Sequence, residues 1–169
     1  MHVNVRAIIE RESAAGTEIV IQRRVKSNED QKPFELPGGR INPFESYVSA
    51  LKREVFEETG LRVNKIYGAE TRMETNDHNS NVEILKPFAI YQTVDGPVDS
   101  LGAYFRCEAQ GTLLHQGDET DNIMWISVNE LISSLDNQEI DFSWVDKSGI
   151  LYYLRWFKEQ QAVDSIEDN

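Results

Sequence analysis

The sequence predicts a single α/β (α+β) sandwich domain, with strands surrounding two or three helices in mixed order. Three observations predict it. Short β-rich runs recur from Val3 to Ile126, and one amphipathic helical pattern, Glu45 to Thr59, is inserted among them. Two further helical patterns, Val128 to Leu135 and Lys147 to Gln161, close the chain. A length of 169 residues suits one sizeable core. The domain is expected to occupy 1–163, with 164–169 a frayed acidic tail.

Each element has its own signal. Val3 to Ile9 and Glu18 to Arg24 read as strands joined through a turn at Gly16. Lys26 to Lys32 is a polar loop. Phe34-Glu35-Leu36 is short and extended, and Pro37-Gly38-Gly39 stops it, because a proline pushes its predecessor away from helix. In the helix that follows, Val48, Leu51 and Val55 form an apolar stripe, and Gly60 is placed to end it. Leu61 to Thr75, Val82 to Val94, Leu101 to Glu108 and Asn122 to Ile126 read as extended, with a turn at Asp95-Gly96-Pro97.

Composition excludes several functions. The formal net charge of −12 opposes non-specific binding to DNA, RNA or anionic membranes. No apolar run is long enough for a membrane helix, and Met1 to Arg6 lacks the layout of a secretory signal. Cys107 is the single cysteine, which excludes an internal disulfide and fits a cytoplasmic location. A small phosphorylated substrate is still compatible, given a local reversal of sign from bound cations and a few arginines.

The chemistry concentrates between Gly39 and Leu61. Glu54, Glu57 and Glu58 stand at i, i+3 and i+4, so they share one helical face beside the apolar stripe. Like charges at that spacing repel, and a hard divalent ion with oxygen ligands is the natural partner for three carboxylates. Arg53 is one turn before Glu57 and can hold it. Glu45, near the predicted helix start, is favoured by the helix dipole. The Gly38-Gly39 pair brings bare backbone to the same helix end, where a carbonyl could reach a metal.

This stretch resembles the Nudix box, G-x5-E-x7-R-E-U-x-E-E-x-G-U with U a bulky aliphatic residue. Gly39, Glu45, Arg53, Glu54, Val55, Glu57, Glu58, Gly60 and Leu61 fill every defined position. Seven positions demand one residue type, so a chance match at a given start is about one in ten million. Gln22-Arg23-Arg24, Phe34 to Gly39, and Trp125-Ile126-Ser127 are similar to the MutT-type branch.

The resemblance implies a Nudix-type α/β/α sandwich, with a mixed sheet and a loop–helix–loop catalytic segment. It implies hydrolysis of a phosphoric anhydride bond in a nucleotide derivative, with Mg²⁺ as cofactor and Mn²⁺ as a possible substitute. Glu57, Glu58 and the Gly38 carbonyl would bind the ion, and Glu54 would bind it or position the attacking water. Arg53 and Glu45 would support them. The base is sometimes a helix glutamate and sometimes a distal loop carboxylate, here Glu119, where a solvated acidic loop is the competing reading. Arg23 is a candidate phosphate contact, with Arg24 less supported. Phe34 and Trp144 are aromatics that either stack on a base or pack in the core. Family members are often homodimers, but no residue here demands it.

Substrate choice is less sharply written. The ADP-ribose branch wants a proline where Asn76 stands, the dinucleoside polyphosphate branch a tyrosine near His78, and the NADH branch a Ser-Gln-Pro-Trp run that is absent. A nucleoside triphosphate, oxidised or not, is the first expectation, with a nucleotide sugar or another diphosphate behind it. A non-enzymatic nucleotide sensor would usually lose a box glutamate or the arginine, and all are present. A calcium-binding loop would be rich in Asp, unlike this helix.

Overall fold

The computed structural model describes residues 1–24, 33–117 and 120–167. The predicted polar loop Lys26 to Lys32 lies outside them. Strand β1 (His2–Ser13) turns through Ala14-Ala15 into β2 (Gly16–Arg24). Two short strands, β3 (Phe34–Glu35) and β4 (Gly38–Arg40), precede helix α1 (Tyr47–Thr59). Strand β5 (Arg62–Ile66) leads to a separate hairpin of β6 (Met73–Asp77) and β7 (Ser80–Ile84). Then come β8 (Ala89–Gln92), β9 (Ser100–Gln110), β10 (Gln116–Gly117) and β11 (Thr120–Ser127). Helices α2 (Val128–Asp136) and α3 (Trp144–Glu167) follow. Among the described residues, no helix is long and apolar enough to cross a membrane.

The main sheet runs β10-β11-β2-β1-β9-β5, with β3 on β2, β4 on β1 and β8 on β9. It is mixed: β1 and β9 are parallel from His2↔Ser100 to Ile9↔Cys107, and the other pairings are antiparallel. A central parallel pair is covered on both faces, which explains the unbroken apolar run Ala7-Ile8-Ile9. Side chains alternate across it. Val5, Ala7, Ile9, Phe105 and Cys107 meet Leu51 and Val55 of α1. Ile8 and Tyr104 meet Ile150, Tyr153 and Leu154 of α3 on the other side. The result is a helix–sheet–helix sandwich, as the sequence predicts. Leu51 and Val55 are fully buried, each worth about 1.5–3 kcal/mol of transfer free energy.

Helix α1 starts at Tyr47 rather than Glu45, because Ser46 is extended and its hydroxyl accepts from the Ser49 N–H at 3.0 Å. Glu45 is therefore outside the helix. Its two oxygens accept from Arg53 Nε and Nη2 at 2.8 and 2.7 Å, and Oε2 accepts from the Asn42 N–H at 3.0 Å. This clasp ties the loop before α1 to the helix. Gly60 ends α1 as predicted, with its N–H on the Phe56 carbonyl.

Departures from the predicted elements have local causes. The extended runs 61–75 and 82–94 are each broken, the first around Gly68 by a 3-10 turn (Ala69–Thr71), the second by Pro87, which cannot donate to a ladder. The run from Phe34 stops before Pro37, as predicted, but the Gly38-Gly39 pair then opens a new strand, β4, paired with Asn4 to Arg6. There β4 runs so close to β1 that a Cβ on Gly38 would meet the Val5 carbonyl oxygen at 2.2 Å.

Helix α3 begins three residues before the predicted Lys147, because Ser143 caps it. The Ser143 hydroxyl accepts from the Asp146 N–H at 3.3 Å, and its carbonyl accepts from the Lys147 N–H at 2.8 Å. The helix continues to Glu167, past the expected end of the domain at 163. It lies flush on the sheet at Gly149, where a Cβ would come within 2.4 Å of the Tyr104 ring.

Two predictions follow from this packing. In an open helix Gly149→Ala would stabilise by about 1 kcal/mol. Here the methyl must displace a buried tyrosine, and overpacking costs about 1–3 kcal/mol. The variant should therefore unfold at lower urea than wild type; equal or greater resistance would show that α3 is not seated on Tyr104. The Glu45 carboxyl is held down to about 2, from an ordinary 4.5, chiefly by the Arg53 hydrogen bonds. A depressed acid stabilises above its unfolded value and loses that stabilisation as pH falls through the folded one. Glu45→Gln should thus be less stable than wild type at pH 7, with the gap in urea midpoints closing between pH 4.5 and 2. A gap independent of pH would assign it to packing.

Candidate active site

Helix α1 presents Glu54, Glu57 and Glu58 to a cleft of about 540 Å³. Its apolar stripe fixes the rotation, because burying Leu51 and Val55 turns the carboxylates toward β4. The Gly38 and Gly39 backbone lies directly against them. A Cβ on Gly39 would sit 2.5 Å from Glu54 Oε2, so glycine is what lets that carboxylate rest on the chain.

Arg53 organises the outer part of the cluster. Besides clasping Glu45, its Nη1 donates to Glu54 Oε1 at 2.7 Å and to Glu57 Oε2 at 3.2 Å. Its Nη2 also donates to the Arg40 carbonyl at 3.1 Å. Glu58 is held by neutral donors. The Gly38 N–H and the Gln22 side-chain amide both donate to Glu58 Oε2, at 2.8 and 2.6 Å. Burial pushes the Glu58 carboxyl up to about 7, against the pull of those two donors and of Arg6. Burial also raises Glu54, opposed by Arg53.

Below this lies a buried pair. Arg6 Nη1 donates to the Gly38 carbonyl at 2.9 Å and to the Leu36 carbonyl at 3.3 Å. Arg6 Nε stands 3.6 Å from Asp146 Oδ1. The predicted metal-binding carbonyl of Gly38 therefore already carries one donor; a carbonyl has a second lone pair. Arg6, Arg24 and Arg40 all line the cleft, as do Asn4, Ser100 and Trp144. The cleft is thus lined by both carboxylates and guanidinium groups.

Among the described residues, no three Asp, Glu, His or Cys side chains are grouped as a finished metal cage. Arg53 bridges Glu54 and Glu57 instead. The donor chemistry nonetheless suits a hard divalent ion: carboxylates and a carbonyl only, with Glu58 buried against neutral donors.

The structure brings Glu54, Glu57, Glu58, Arg53 and Gly38 together and separates two other predicted residues from them. Along β2, Val20 packs on the α1 side while Ile19 and Ile21 pack on the α3 side. Arg23 shares the second face, with its guanidinium 4.5 Å over the Phe34 ring. Neither residue lines the cleft. Phe34 is 3% exposed and packs against Phe142 in the core. Arg24, one residue on, reaches the cleft in place of Arg23. Trp144 is half exposed at the cleft wall, which favours the stacking reading over packing. Glu119 lies outside the described residues. His2 lines the cleft, with its ring 3.4 Å from Arg40 Nη2, while His78 and His115 sit on the exposed surface.

Gln22 and Arg6 carried no functional role in the sequence. The alternation Val20-Ile21-Gln22 held the available signal, a polar residue where the face should be apolar.

The family model described as the NUDIX domain matches residues 1–147. A Bacillus subtilis (strain 168) protein, YtkD, provisionally named an 8-oxo-dGTP diphosphatase, is 35% identical over 77 residues. That match covers 41% of this chain and 49% of YtkD, so it spans about half of that relative. A MutT structure from work on the Aliivibrio salmonicida and Vibrio cholerae proteins superposes with a TM-score of 0.61 at 17% identity, covering 92% of this chain and 98% of that one. The NUDIX domain of Shewanella oneidensis NrtR, solved with ADP ribose, gives 0.62 at 13% identity, with coverages of 95% and 88%. These two share the fold. With the family model covering most of its length and every position of the box filled, this chain belongs to the Nudix family.

Proposed function

We propose that the protein hydrolyses a phosphoric anhydride bond of a nucleoside di- or triphosphate derivative with Mg²⁺, and that an oxidised purine deoxynucleoside triphosphate is the first substrate to try. One observation carries the reading: a single cleft joins the carboxylate cluster of α1 to the guanidinium groups of Arg6, Arg24 and Arg40. That division of charge matches a substrate whose phosphates need cations on more than one side. The half-match to YtkD supports the choice of an 8-oxo-dGTP-like compound.

In this reading Glu57, Glu58 and the Gly38 carbonyl would hold the ion, and Glu54 would bind it or position the attacking water. A divalent cation bound there supplies Lewis-acid neutralisation of the diphosphate charge. Arg53 keeps Glu54 and Glu57 from splaying apart. Arg24 binds the phosphate chain, and Trp144 offers a flat face to the base. Glu54 is the candidate proton acceptor on α1, and Glu119 in the distal loop is the alternative.

The test is turnover of 8-oxo-dGTP, ordinary nucleoside triphosphates, nucleotide sugars and ADP-ribose with Mg²⁺, with chelator, and with Glu58→Gln. Products should require the metal and fall by about 100-fold or more in the variant, with folding retained. Their masses identify the bond cut. A fully active Glu58→Gln protein would sink the metal site, and tight nucleotide binding without turnover would point to a sensor.

The two neighbouring arginines should behave differently. Losing a charged hydrogen bond to phosphate costs about 1.5–3 kcal/mol, or about 10–100-fold in affinity. Arg24→Ala should raise KM for a triphosphate by that order, while Arg23→Ala leaves it near wild type. The reverse pattern would return the phosphate contact to Arg23.

A further inference from the structure

We infer that Gln22 is a positioning residue for the cation site, fixing Glu58 so that one chosen oxygen faces the cleft; the inference rests on the metal-dependent reading above. Gln22 is fully buried on the α1 face of β2, a face its neighbour Val20 fills with hydrocarbon. Its Nε2 donates to Glu58 Oε2 at 2.6 Å, the same oxygen that receives the Gly38 N–H at 2.8 Å. Two donors on Oε2 saturate that oxygen from the protein side. Oε1 takes neither, so the carboxylate is presented through a single oxygen with its rotation locked.

The other end of the amide shows what this arrangement costs. Gln22 Oε1 is buried and has no hydrogen-bond partner among the described residues. A buried acceptor left unpaired is destabilising, and an apolar residue of the same shape would avoid the penalty. A residue serving only the core would therefore be a methionine or leucine. Glutamine also donates without adding charge. A lysine at this point would compete with the incoming cation, and a glutamate would repel Glu58.

The geometry assigns a trade-off that a packing role would not show. Gln22→Met keeps the length and removes the donor; Gln22→Leu removes the donor with a shorter side chain. At least one should melt at or above the wild-type temperature while binding Mn²⁺ more weakly. The loss should be about 10–100-fold, the usual effect of removing a hydrogen bond to a metal ligand. Mn²⁺ affinity is read without substrate, from the electron paramagnetic resonance signal of the free ion. Turnover should show a matching rise in the Mg²⁺ concentration for half-activation, with little change in nucleotide KM. Wild-type Mn²⁺ affinity in a folded variant would overturn the role of Gln22 and leave the hydrolase reading intact. Failure of the wild-type protein to bind Mn²⁺ would overturn the cation site and this assignment with it. Weaker binding only in variants that also lose thermal stability would make Gln22 a structural residue.

Discussion

Four glutamates crowd one guanidinium, and that imbalance shapes the site. Arg53 reaches Glu45, Glu54 and Glu57, while Glu58, one turn from Glu54, is out of its range and rests on two neutral donors. An isolated helix would not hold carboxylates at i, i+3 and i+4 for nothing. The arrangement survives because Arg53 neutralises its outer members, while Gly38 and Gln22 solvate its inner one in place of water. The glycine pair is part of the same constraint, since any side chain on Gly39 would expel Glu54.

The sandwich serves that cluster by presenting its neighbours from separate strands. Strand β1 supplies Arg6, β2 supplies Gln22 and Arg24, and β4 supplies the glycine backbone and Arg40. Parity decides which side chain arrives. On β2 the difference between Arg23 and Arg24 is one residue, which in a strand is the difference between opposite faces of the sheet. Two core clusters lock the parity, because Val20 cannot turn to the α3 side without carrying Ile19 and Ile21 away from it.

Legibility followed the range of the interactions. The carboxylate face, the role of Arg53 and the stop at Gly60 are set within one helix and its ends, so their spacing in the sequence was enough. The strand at Gly38–Arg40 was not legible, because two glycines read as a stop until β1 is known to lie beside them. The early start of α3 was missed because the Ser143 cap is separated from the apolar pattern that marked the helix. Phe34 read equally as base platform or core; only its contact with Phe142, far along the chain, decides. Which of Arg23 and Arg24 lines the cleft is hidden for the same reason: a strand's two faces are equivalent until the partner helix is placed on one of them.

The net charge of −12 gives the cleft a further significance. A field of that sign slows the approach of a bare polyphosphate. Arg6, Arg24 and Arg40 oppose it within the cleft, but Arg6 is committed to backbone carbonyls and faces Asp146, so much of its charge is answered within the protein. The carboxylate cluster has the opposite surplus, since Arg53 serves three acids and Glu58 takes its direct hydrogen bonds from neutral donors. Each set of charges is one that a component of a metal–nucleotide complex would complement. An anionic chain suits the arginines, and a hard cation suits the glutamates. In the metal-dependent reading proposed above, a nucleotide and a divalent cation held together would answer both sets of charges.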